Sequence, residues 1–309
     1  MSKCLVLGAN GFIGSHIVDR LVDDGHLVRA FDRYDSQNTI FIDSENIERF
    51  SGDFLNKKDI EQALEGIDYV FHFISTTNPA SAENNPLIDV DTNIKHSILL
   101  FQACIKMNIK RLIFASTGGA IYGEGANPHI EVDTPLPVSP YAIGKLTIEH
   151  YLRYFRVKHG LDSVVLRISN PYGERQPFRR KQGVIPIFLE NIAAGKSLPV
   201  MGDGTMVRDY IYVKDVANMT VNLFNKKVLH DTYNIGSGKG ESLNELIDII
   251  GKITNKEITI EHHPVPSTFV DHVVLNTNRY TKEFGPTNMT NLSEGIKLTY
   301  EYILKQMGK

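Results

Sequence analysis

A glycine-spaced turn near the start of the chain constrains its fold more than any other feature of the sequence. Lys3 to Leu7 is an apolar run typical of a buried strand, and Gly8, Gly11 and Gly14 follow it directly. The first glycine permits a tight turn, the second lets backbone N–H groups approach a pyrophosphate, and the third lets the next helix pack closely on the strand. The stretch therefore predicts a dinucleotide site at the N-terminus of a helix in a parallel α/β sheet.

The second predicted strand ends in an acid that fits the ribose of such a dinucleotide. Leu27 to Phe31 is largely apolar, and Asp32 after it can accept hydrogen bonds from an adenosine ribose. Its charge opposes a 2′-phosphate and so favours NAD over NADP. Arg33 is a basic neighbour that could hold that phosphate, but the acid stands first in the chain. We therefore expect NAD as the cofactor.

Strands and helices alternate through most of the chain, which is the pattern of a parallel sheet. The predicted fold is α/β, a doubly wound parallel Rossmann sheet with a smaller mixed α/β substrate lobe. The Rossmann domain is placed at residues 1–170 plus about 209–240, and the smaller lobe at about 171–208 plus 241–309. His72 lies inside the fourth predicted strand, 69–74, and is expected to be a packed core histidine. Further strands are predicted at 47–51, 111–115, 164–168, 232–236 and 258–260, and helices at 90–107, 213–224 and 292–304.

The composition argues against several classes of protein. A net charge of -3 and scattered basic residues do not fit a nucleic-acid-binding surface, and the run Arg179-Arg180-Lys181 is interpreted as a solvated loop or a contact to substrate phosphate. Cys4 and Cys104 give neither a disulfide framework nor a metal-ligand spacing. The chain begins without a signal-peptide core, and no apolar run approaches the roughly 18 residues of a membrane span. We expect a soluble cytoplasmic protein without a metal.

A tyrosine and a lysine one helical turn apart indicate proton-transfer chemistry. Ser139-Pro140 opens a helix, so Tyr141 and Lys145 share one face of it. A phenol has an ordinary pKa of about 10, and an ammonium group beside it favours the phenolate. The strand upstream ends in Ser116 and Thr117, which bring two hydroxyl groups to the site. The same spacing recurs without this context at Tyr154/Lys158 and Tyr210/Lys214.

Taken together, these motifs resemble the extended short-chain dehydrogenase/reductase family, and within it the nucleotide-sugar epimerases of the UDP-glucose 4-epimerase type. Two further motifs support the resemblance, Asn170-Pro171-Tyr172-Gly173 and Gly202-Asp203-Gly204 followed by Arg208-Asp209. It covers nearly the whole chain, in order. The resemblance implies an NAD-dependent enzyme that interconverts the gluco and galacto forms of UDP-glucose, UDP-N-acetylglucosamine or both through a transient 4-keto sugar.

The resemblance also implies roles for individual residues. Tyr141 would be the acid/base, Lys145 would hold the nicotinamide ribose, and Thr117 would bind the sugar O4, with Ser116 as the alternative. Asn93 would be a structural or water-positioning member of the active site. Cofactor contacts would also come from Gly8, Asn10, Gly11, Phe12, Ile13, Gly14, Asp32, Arg33, Asp53, Phe54, Phe73 and Ser75. Substrate contacts would come from Thr117, Asn170, Val184, Leu198, Val200, Arg208 and Val273.

Val273 bears on which sugar is accepted. In the family, a side chain just before the pattern Leu-Asp-Thr-Ser-Lys closes the hexose pocket when it is large and admits an N-acetyl group at C2 when it is small. The corresponding pattern here is Leu275-Asn276-Thr277-Asn278-Arg279, which puts Val273 at that position. The resemblance thus implies that N-acetylated sugars are accepted. A shift of one residue in this alignment would bring His272 or Val274 there instead.

The sequence departs from the family in two places. Phe73-Ile74-Ser75 stands where a small Ala-Ala pair is common, and the arginine usual before the last strand of the sugar lobe is absent between His262 and Asp271. The mode of diphosphate binding therefore stays open. A 4,6-dehydratase would need an acidic pair after Thr117, where Gly118-Gly119-Ala120 stands. A UDP-glucuronate 4-epimerase and a non-catalytic NAD-binding protein on the same fold are further alternatives.

Two predicted helices contain more apolar residues than one core face needs. These residues would either form a helical dimer interface or pack in the core, and we predict a homodimer. They are Ile94, Ile98, Leu99, Phe101, Ile148, Leu152 and Phe155.

Overall fold

The computed structural model describes residues 1–34, 39–125, 128–177, 183–265 and 270–308, so the basic run at 179–181 lies outside the described residues. The strands are β1 (Lys3–Leu7), β2 (Leu27–Asp32), β3 (Ile47–Ser51), β4 (Tyr69–His72), β5 (Arg111–Thr117), β6 (Ser163–Ile168), β7 (Asn170–Tyr172), β8 (Leu198–Met201), β9 (Val207–Arg208), β10 (Tyr210–Tyr212), β11 (Thr232–Ile235), β12 (Glu241–Ser242), β13 (Ile260–His263) and β14 (His272–Val273). The helices are α1 (Phe12–Asp23), α2 (Lys57–Ala63), α3 (Pro79–Asn84), α4 (Lys95–Lys106), α5 (Gly118–Ile121), α6 (Pro140–His159), α7 (Val184–Ala193), α8 (Val213–Leu223), α9 (Leu243–Thr254), α10 (Asn278–Phe284) and α11 (Leu292–Gln306), with a π-helix at Asp89–Ile94.

A seven-stranded sheet in the order β11-β6-β5-β4-β1-β2-β3 forms the centre of the molecule. Every neighbouring pair in it is parallel. The direction in which successive strands are added reverses at β1, which pairs with β2 on one side and β4 on the other. Ligands of such sheets bind where this reversal leaves a crevice at the carboxyl ends of the strands. The predicted doubly wound α/β fold is confirmed.

Both faces of the sheet are covered by helices because its strands alternate apolar side chains to each side. Within β1, Cys4 and Val6 pack with α1 and α8, whereas Leu5 and Leu7 pack with α2, α4 and α6. His72 is 2% exposed between the layers, as predicted. The layer formed by α2, α4 and α6 also explains why α4 and α6 contain so many apolar residues. Phe101, Ile148, Leu152 and Phe155 lie in this core, so of the two alternatives packing in the core holds for these four residues.

The residues after β6 build three smaller sheets, β10-β7, β12-β9-β14 and β13-β8. A separate apolar core joins α7, α9 and α11 beside them. The strand predicted at 258–260 instead covers Ile260–His263, where it pairs with β8. The division of the chain into two domains stays a prediction.

The helix predicted at 90–107 begins differently from an ordinary α-helix. Asp89–Ile94 forms a π-helix, and the α-helical turns run only from Lys95 to Lys106. A π-turn inserts an extra residue into the helical register and is frequent at functional sites. Here it brings Asp89 and Asn93 to the buried side. Of the helices in the described ranges, none is both long and apolar enough to cross a bilayer.

Candidate active site

The glycine turn after β1 is closed so tightly that side chains are excluded from it. Gly8 has φ +86°, and a Cβ atom added at Gly14 would lie 2.0 Å from the carbonyl oxygen of Gly8. The N–H groups of Gly8 and Ala9 donate to the carbonyl of Phe31 at 3.0 and 3.1 Å. Gly11 caps α1 without a side-chain hydrogen bond, which leaves first-turn N–H groups for a ligand. The loop therefore fits the pyrophosphate of a dinucleotide.

Asp32 lies at the carboxyl end of β2, beside this loop. Its Oδ2 accepts a hydrogen bond from the N–H of Asn10 at 2.8 Å, and its Oδ1 accepts one from the N–H of Arg33 at 2.8 Å. The Asn10 side chain in turn accepts from the N–H of Ile40. These contacts fix the carboxylate at the edge where a ribose would lie, while Arg33 is exposed.

The other residues predicted to bind cofactor surround the same edge of the sheet. Phe12 and Ile13 form the first turn of α1, and Phe73 and Ser75 follow β4. Asp53 follows β3 and accepts from the N–H of Leu55 at 2.9 Å. Phe54 is 2% exposed, with its ring 5.2 Å from that of His72. Its ring is therefore core, and only its backbone remains available to a cofactor.

Tyr141 and Lys145 stand on the first turns of α6. Ser139 accepts a hydrogen bond from the N–H of Ala142 at the helix start, and the Lys145 Nζ donates to the carbonyl of Ala115 at 2.8 Å. The same Nζ lies 5.9 Å from the centre of the Tyr141 ring. Burial lowers the pKa of Lys145 to about 8.

The environment of the Tyr141 phenol raises its pKa. Burial, followed by the charge of Asp89, raises its pKa to about 12. The sequence-based expectation was that Lys145 favours the phenolate. Desolvation outweighs that effect here, because burial penalises the charged form of the phenol.

Of the two strand-end hydroxyls, only one is free for a ligand. Ser116 is 5% exposed and donates to Glu149 Oε1 at 2.5 Å. Thr117 is half-buried, and its hydroxyl has no hydrogen-bond partner in the described part of the chain. A Cβ at Gly118 would lie 2.4 Å from Leu275 Cδ1 and 3.0 Å from the carbonyl oxygen of Arg167, so a side chain there would require Leu275 to move.

A buried polar network supports this strand end and was missed by the sequence analysis. Arg167 Nη2 donates to Glu149 Oε2 at 2.8 Å, and Arg167 Nη1 donates to the Tyr122 hydroxyl at 3.1 Å. The Tyr122 hydroxyl donates to Asn234 Oδ1 at 2.6 Å. The sequence feature that could have indicated this network is Arg167, a charged residue inside the apolar strand predicted at 164–168. Through Ser116, which donates to Glu149, the network joins β5, β6, β11 and α6.

Asn93 acts on the loop after β4. Its Nδ2 donates to Asp89 Oδ1 at 2.6 Å and to Thr77 Oγ1 at 2.9 Å, and its Oδ1 accepts from the N–H of Thr76 at 3.0 Å. Both the oxygen and the nitrogen of the Asn93 amide therefore bind, and they hold the loop after β4 against the π-helix. Asp89 is a further residue that sequence reasoning missed.

The predicted substrate residues fall into two groups. Asn170 and Arg208 are half-buried polar side chains, and Val184 is partly buried at the start of α7. Arg208 Nη2 donates to the carbonyl of Val270 at 2.6 Å, which fixes its guanidinium beside β14. Leu198 and Val200 are 0% exposed as whole residues and pack in the apolar core of α7, α9 and α11, so their contact with a sugar nucleotide stays a prediction.

Val273 is 2% exposed and lies opposite Arg208 in the β9–β14 pair. Side chains alternate along an extended chain. Val274 points toward Gly240 and Leu275 toward Gly118, so Val273 shares the Leu275 side. By this alternation Val273 and Val274 point to opposite sides of the chain, and a contact between Val273 and the sugar stays a prediction.

The fold and this site define a dinucleotide-binding α/β protein with a tyrosine and a lysine one helical turn apart beside the cofactor loop. The model of the NAD dependent epimerase/dehydratase family matches residues 4–236, and the chain belongs to that family. This confirms the resemblance to extended short-chain dehydrogenases and the expected cofactor, NAD. The glycine turn, Asp32 and Lys145 are the residues that fit it.

Three similar proteins show how wide the range of activities is. The putative UDP-glucose 4-epimerase of Methanocaldococcus jannaschii is 35% identical over 249 residues, 80% of this chain and 80% of that protein. The dTDP-4-dehydro-6-deoxyglucose reductase of Escherichia coli is 30% identical over 94% of each chain. The crystal structure of UDP-glucose 4-epimerase with UDP-glucose from Thermotoga maritima superposes with a TM-score of 0.88 at 35% identity, covering 99% of each chain.

Proposed function

We propose that this protein is a UDP-hexose 4-epimerase that interconverts the gluco and galacto forms of UDP-glucose and UDP-N-acetylglucosamine through a transient 4-keto sugar. The observation that supports this most is the free hydroxyl of Thr117, which two glycines follow and which ends the strand whose Ala115 carbonyl accepts a hydrogen bond from Lys145. Two of the three similar proteins are named as UDP-glucose 4-epimerases. The third is a reductase, so the reaction is inferred from the site itself.

The described residues that follow Thr117 do not supply the acids that dehydration would use. A dehydratase must remove a proton from C5 and protonate a leaving hydroxyl at C6, which needs acidic side chains beside the sugar. Gly118 and Gly119 occupy the positions after Thr117, and a Cβ at Gly119 would lie 3.2 Å from Asn170 Oδ1. Glu124 is the next acid along the chain, and it accepts a hydrogen bond from the N–H of Asp271 at 3.0 Å. It is therefore engaged elsewhere.

The residues of the chain act on the proton of the substrate O4. Thr117 donates a hydrogen bond to O4, and Tyr141 as phenolate removes its proton and later returns it. Lys145 holds the ribose and adds positive charge beside the phenol. NAD, when bound, supplies the reversible oxidation of C4. Asn170 and Arg208 hold the nucleotide while the keto sugar turns over.

A panel of UDP-hexoses tests this proposal. UDP-glucose and UDP-galactose should approach the same equilibrium mixture from either side, without accumulation of reduced cofactor, and so should the N-acetylated pair. Proton NMR of the sugar H4 signals distinguishes the epimers. Accumulation of a 4-keto-6-deoxy sugar, or net consumption of cofactor, would contradict the proposal.

Thr117→Ala should slow turnover more than Ser116→Ala does. Loss of a hydrogen bond that strengthens in the transition state costs about 2.7–4 kcal/mol, or about 10²–10³-fold in kcat. Ser116 donates to Glu149, so its removal should mainly lower the melting temperature. Steady-state kinetics and thermal melting of both variants separate the two effects. A larger fall in kcat for Ser116→Ala would assign the O4 contact to Ser116.

Val273→Tyr should remove the activity on UDP-N-acetylglucosamine and retain that on UDP-glucose, because a large side chain there would fill the space for the N-acetyl group. His272→Tyr is the matched control, since His272 is exposed one residue earlier. The measurement is kcat/KM for both sugars. An equal loss for both sugars in Val273→Tyr would reject the assignment of this residue.

We further propose a cytoplasmic homodimer formed through α6. The exposed apolar residues of this helix are Ile143, Tyr151, Tyr154 and Val157, at 50%, 40%, 51% and 80%. Their spacing puts them on one stripe of the helix. Sedimentation of the wild-type protein should give a dimer, and Tyr154→Glu with Val157→Glu should give a monomer. A wild-type monomer would reject this part of the proposal.

A further inference from the structure

Asp89 is a buried carboxylate that the proposed mechanism does not use. It is 4% exposed at the start of the π-helix. Its Oδ1 accepts hydrogen bonds from Thr77 Oγ1 at 2.8 Å and from Asn93 Nδ2 at 2.6 Å. Its Oδ2 is buried without a hydrogen-bond partner in the part of the chain that the structure describes. A carboxylate that is desolvated and only half satisfied costs free energy.

This carboxylate lies against the turn of α6 between Tyr141 and Lys145. A Cβ atom added at Gly144 would lie 3.3 Å from both Cβ and Cγ of Asp89. The absence of a side chain at Gly144 is what lets the π-helix approach so closely. The charge of Asp89 acts on both partners of the pair. It adds to burial in raising the pKa of Tyr141, and it is the main effect that opposes the lowering of the Lys145 pKa by burial.

The other titratable groups near Tyr141 and Lys145 are bound to other residues, neutral or exposed to solvent. Glu149, one turn beyond Lys145, is bound by Ser116 and Arg167. His72 on β4 is held neutral, since burial and then Lys145 lower its pKa to about 3. Glu83 on α3 and Lys95 on α4 are exposed. Asp89 forms no ion pair with any described residue, so its field is not cancelled locally.

We propose that Asp89 is a positioning residue of the epimerase, whose buried negative charge keeps Lys145 cationic and opposes premature ionisation of Tyr141. This inference rests on the proposed acid/base roles of the pair. Because the two groups interact, they lose their protons as a coupled unit. Removing a negative charge from the site favours deprotonation of both groups. The titration midpoints of Tyr141 and Lys145 should therefore both move to lower pH.

The test is Asp89→Asn, with two matched controls. Asp91→Asn removes the same charge from an exposed position in the same π-helix. Thr77→Val removes a hydrogen bond to Asp89 but leaves its charge. The ionisation of Lys145 is followed by NMR of protein labelled with ¹³Cε-lysine, and the signal missing in Lys145→Gln provides the assignment. NAD binding and thermal melting verify that each variant is folded.

The midpoint of Lys145 should lie near 8 in the wild-type protein and both controls, and lower in Asp89→Asn. The pH–rate profile of Asp89→Asn should shift to lower pH on both limbs, whereas Thr77→Val should lower the rate without a shift. A Lys145 midpoint in Asp89→Asn that equals the wild type, or moves no further than in Asp91→Asn, overturns the proposal. The lysine titration needs no turnover, so a protein that epimerises none of the UDP-hexoses would reject the proposed function and still test the role of Asp89.

Discussion

Tyr141→Phe should abolish epimerisation, with a fall in kcat of about 10²–10⁴-fold or more, because general acid/base catalysis by a positioned side chain contributes about that much. The phenol acts on a proton in flight and adds little to ground-state affinity. Binding of the UDP-sugar, measured by calorimetry, should change little. The melting temperature should also stay close to that of the wild type, since the change removes one hydroxyl group from a half-buried ring.

Tyr154→Phe is the matched control for that experiment. Tyr154 stands on the same helix, is also followed by a lysine four residues later, and is 51% exposed. It should retain wild-type turnover. A Tyr141→Phe variant with more than a tenth of the wild-type kcat would exclude the phenol as the acid/base group.

Gly14→Ala should weaken NAD binding strongly. The new Cβ would lie 2.0 Å from the carbonyl oxygen of Gly8, so the turn must open to accept it. Such overpacking costs about 1–3 kcal/mol. If the opened turn must close again to bind cofactor, this cost raises the dissociation constant for NAD about tenfold to a hundredfold. Fluorescence titration with NADH measures this directly.

Gly251→Ala is the control for the substitution itself. Gly251 lies in α9, away from the cofactor turn, and a Cβ there would meet the end of the Ile258 side chain at 3.3 Å. That flexible methyl group can move, so NAD binding should stay unchanged. Wild-type NAD affinity in Gly14→Ala would show that the turn does not need to close as the structure has it.

The parts of the fold that sequence reasoning predicted correctly follow from local patterns. The glycine turn, Asp32 and the apolar strands of the central sheet depend on residues close together in the chain. The Ser139-Pro140 helix start could be predicted for the same reason, since a cap and a first-turn proline act within one turn. Counting from the strand favours Thr117 over Ser116; the structure leaves the Thr117 hydroxyl without a hydrogen bond among the described residues, and its contact with O4 stays a prediction.

What sequence reasoning missed depends on contacts between distant residues. Glu149 is paired with Arg167, and no local pattern indicates that these two side chains meet. Asp89 directly precedes the helix predicted at 90–107, and the sequence does not indicate that the π-helix turns it to the buried side. Leu198 and Val200 are predicted to contact the substrate, but their side chains pack in the apolar core that joins α7, α9 and α11. The apolar residues of α4 and α6 could not be divided between core and interface without knowing which face meets the sheet.

Epimerisation of UDP-glucose in D₂O tests the central proposal most directly. If C4 is oxidised and reduced within one active site, its hydrogen never exchanges with solvent, and the C5 hydrogen is not touched. The proposed mechanism therefore predicts UDP-galactose that retains protium at C4 and at C5 in the NMR spectrum. Deuterium at C5 or C6, together with loss of the C6 hydroxyl, would show dehydration and contradict the proposal.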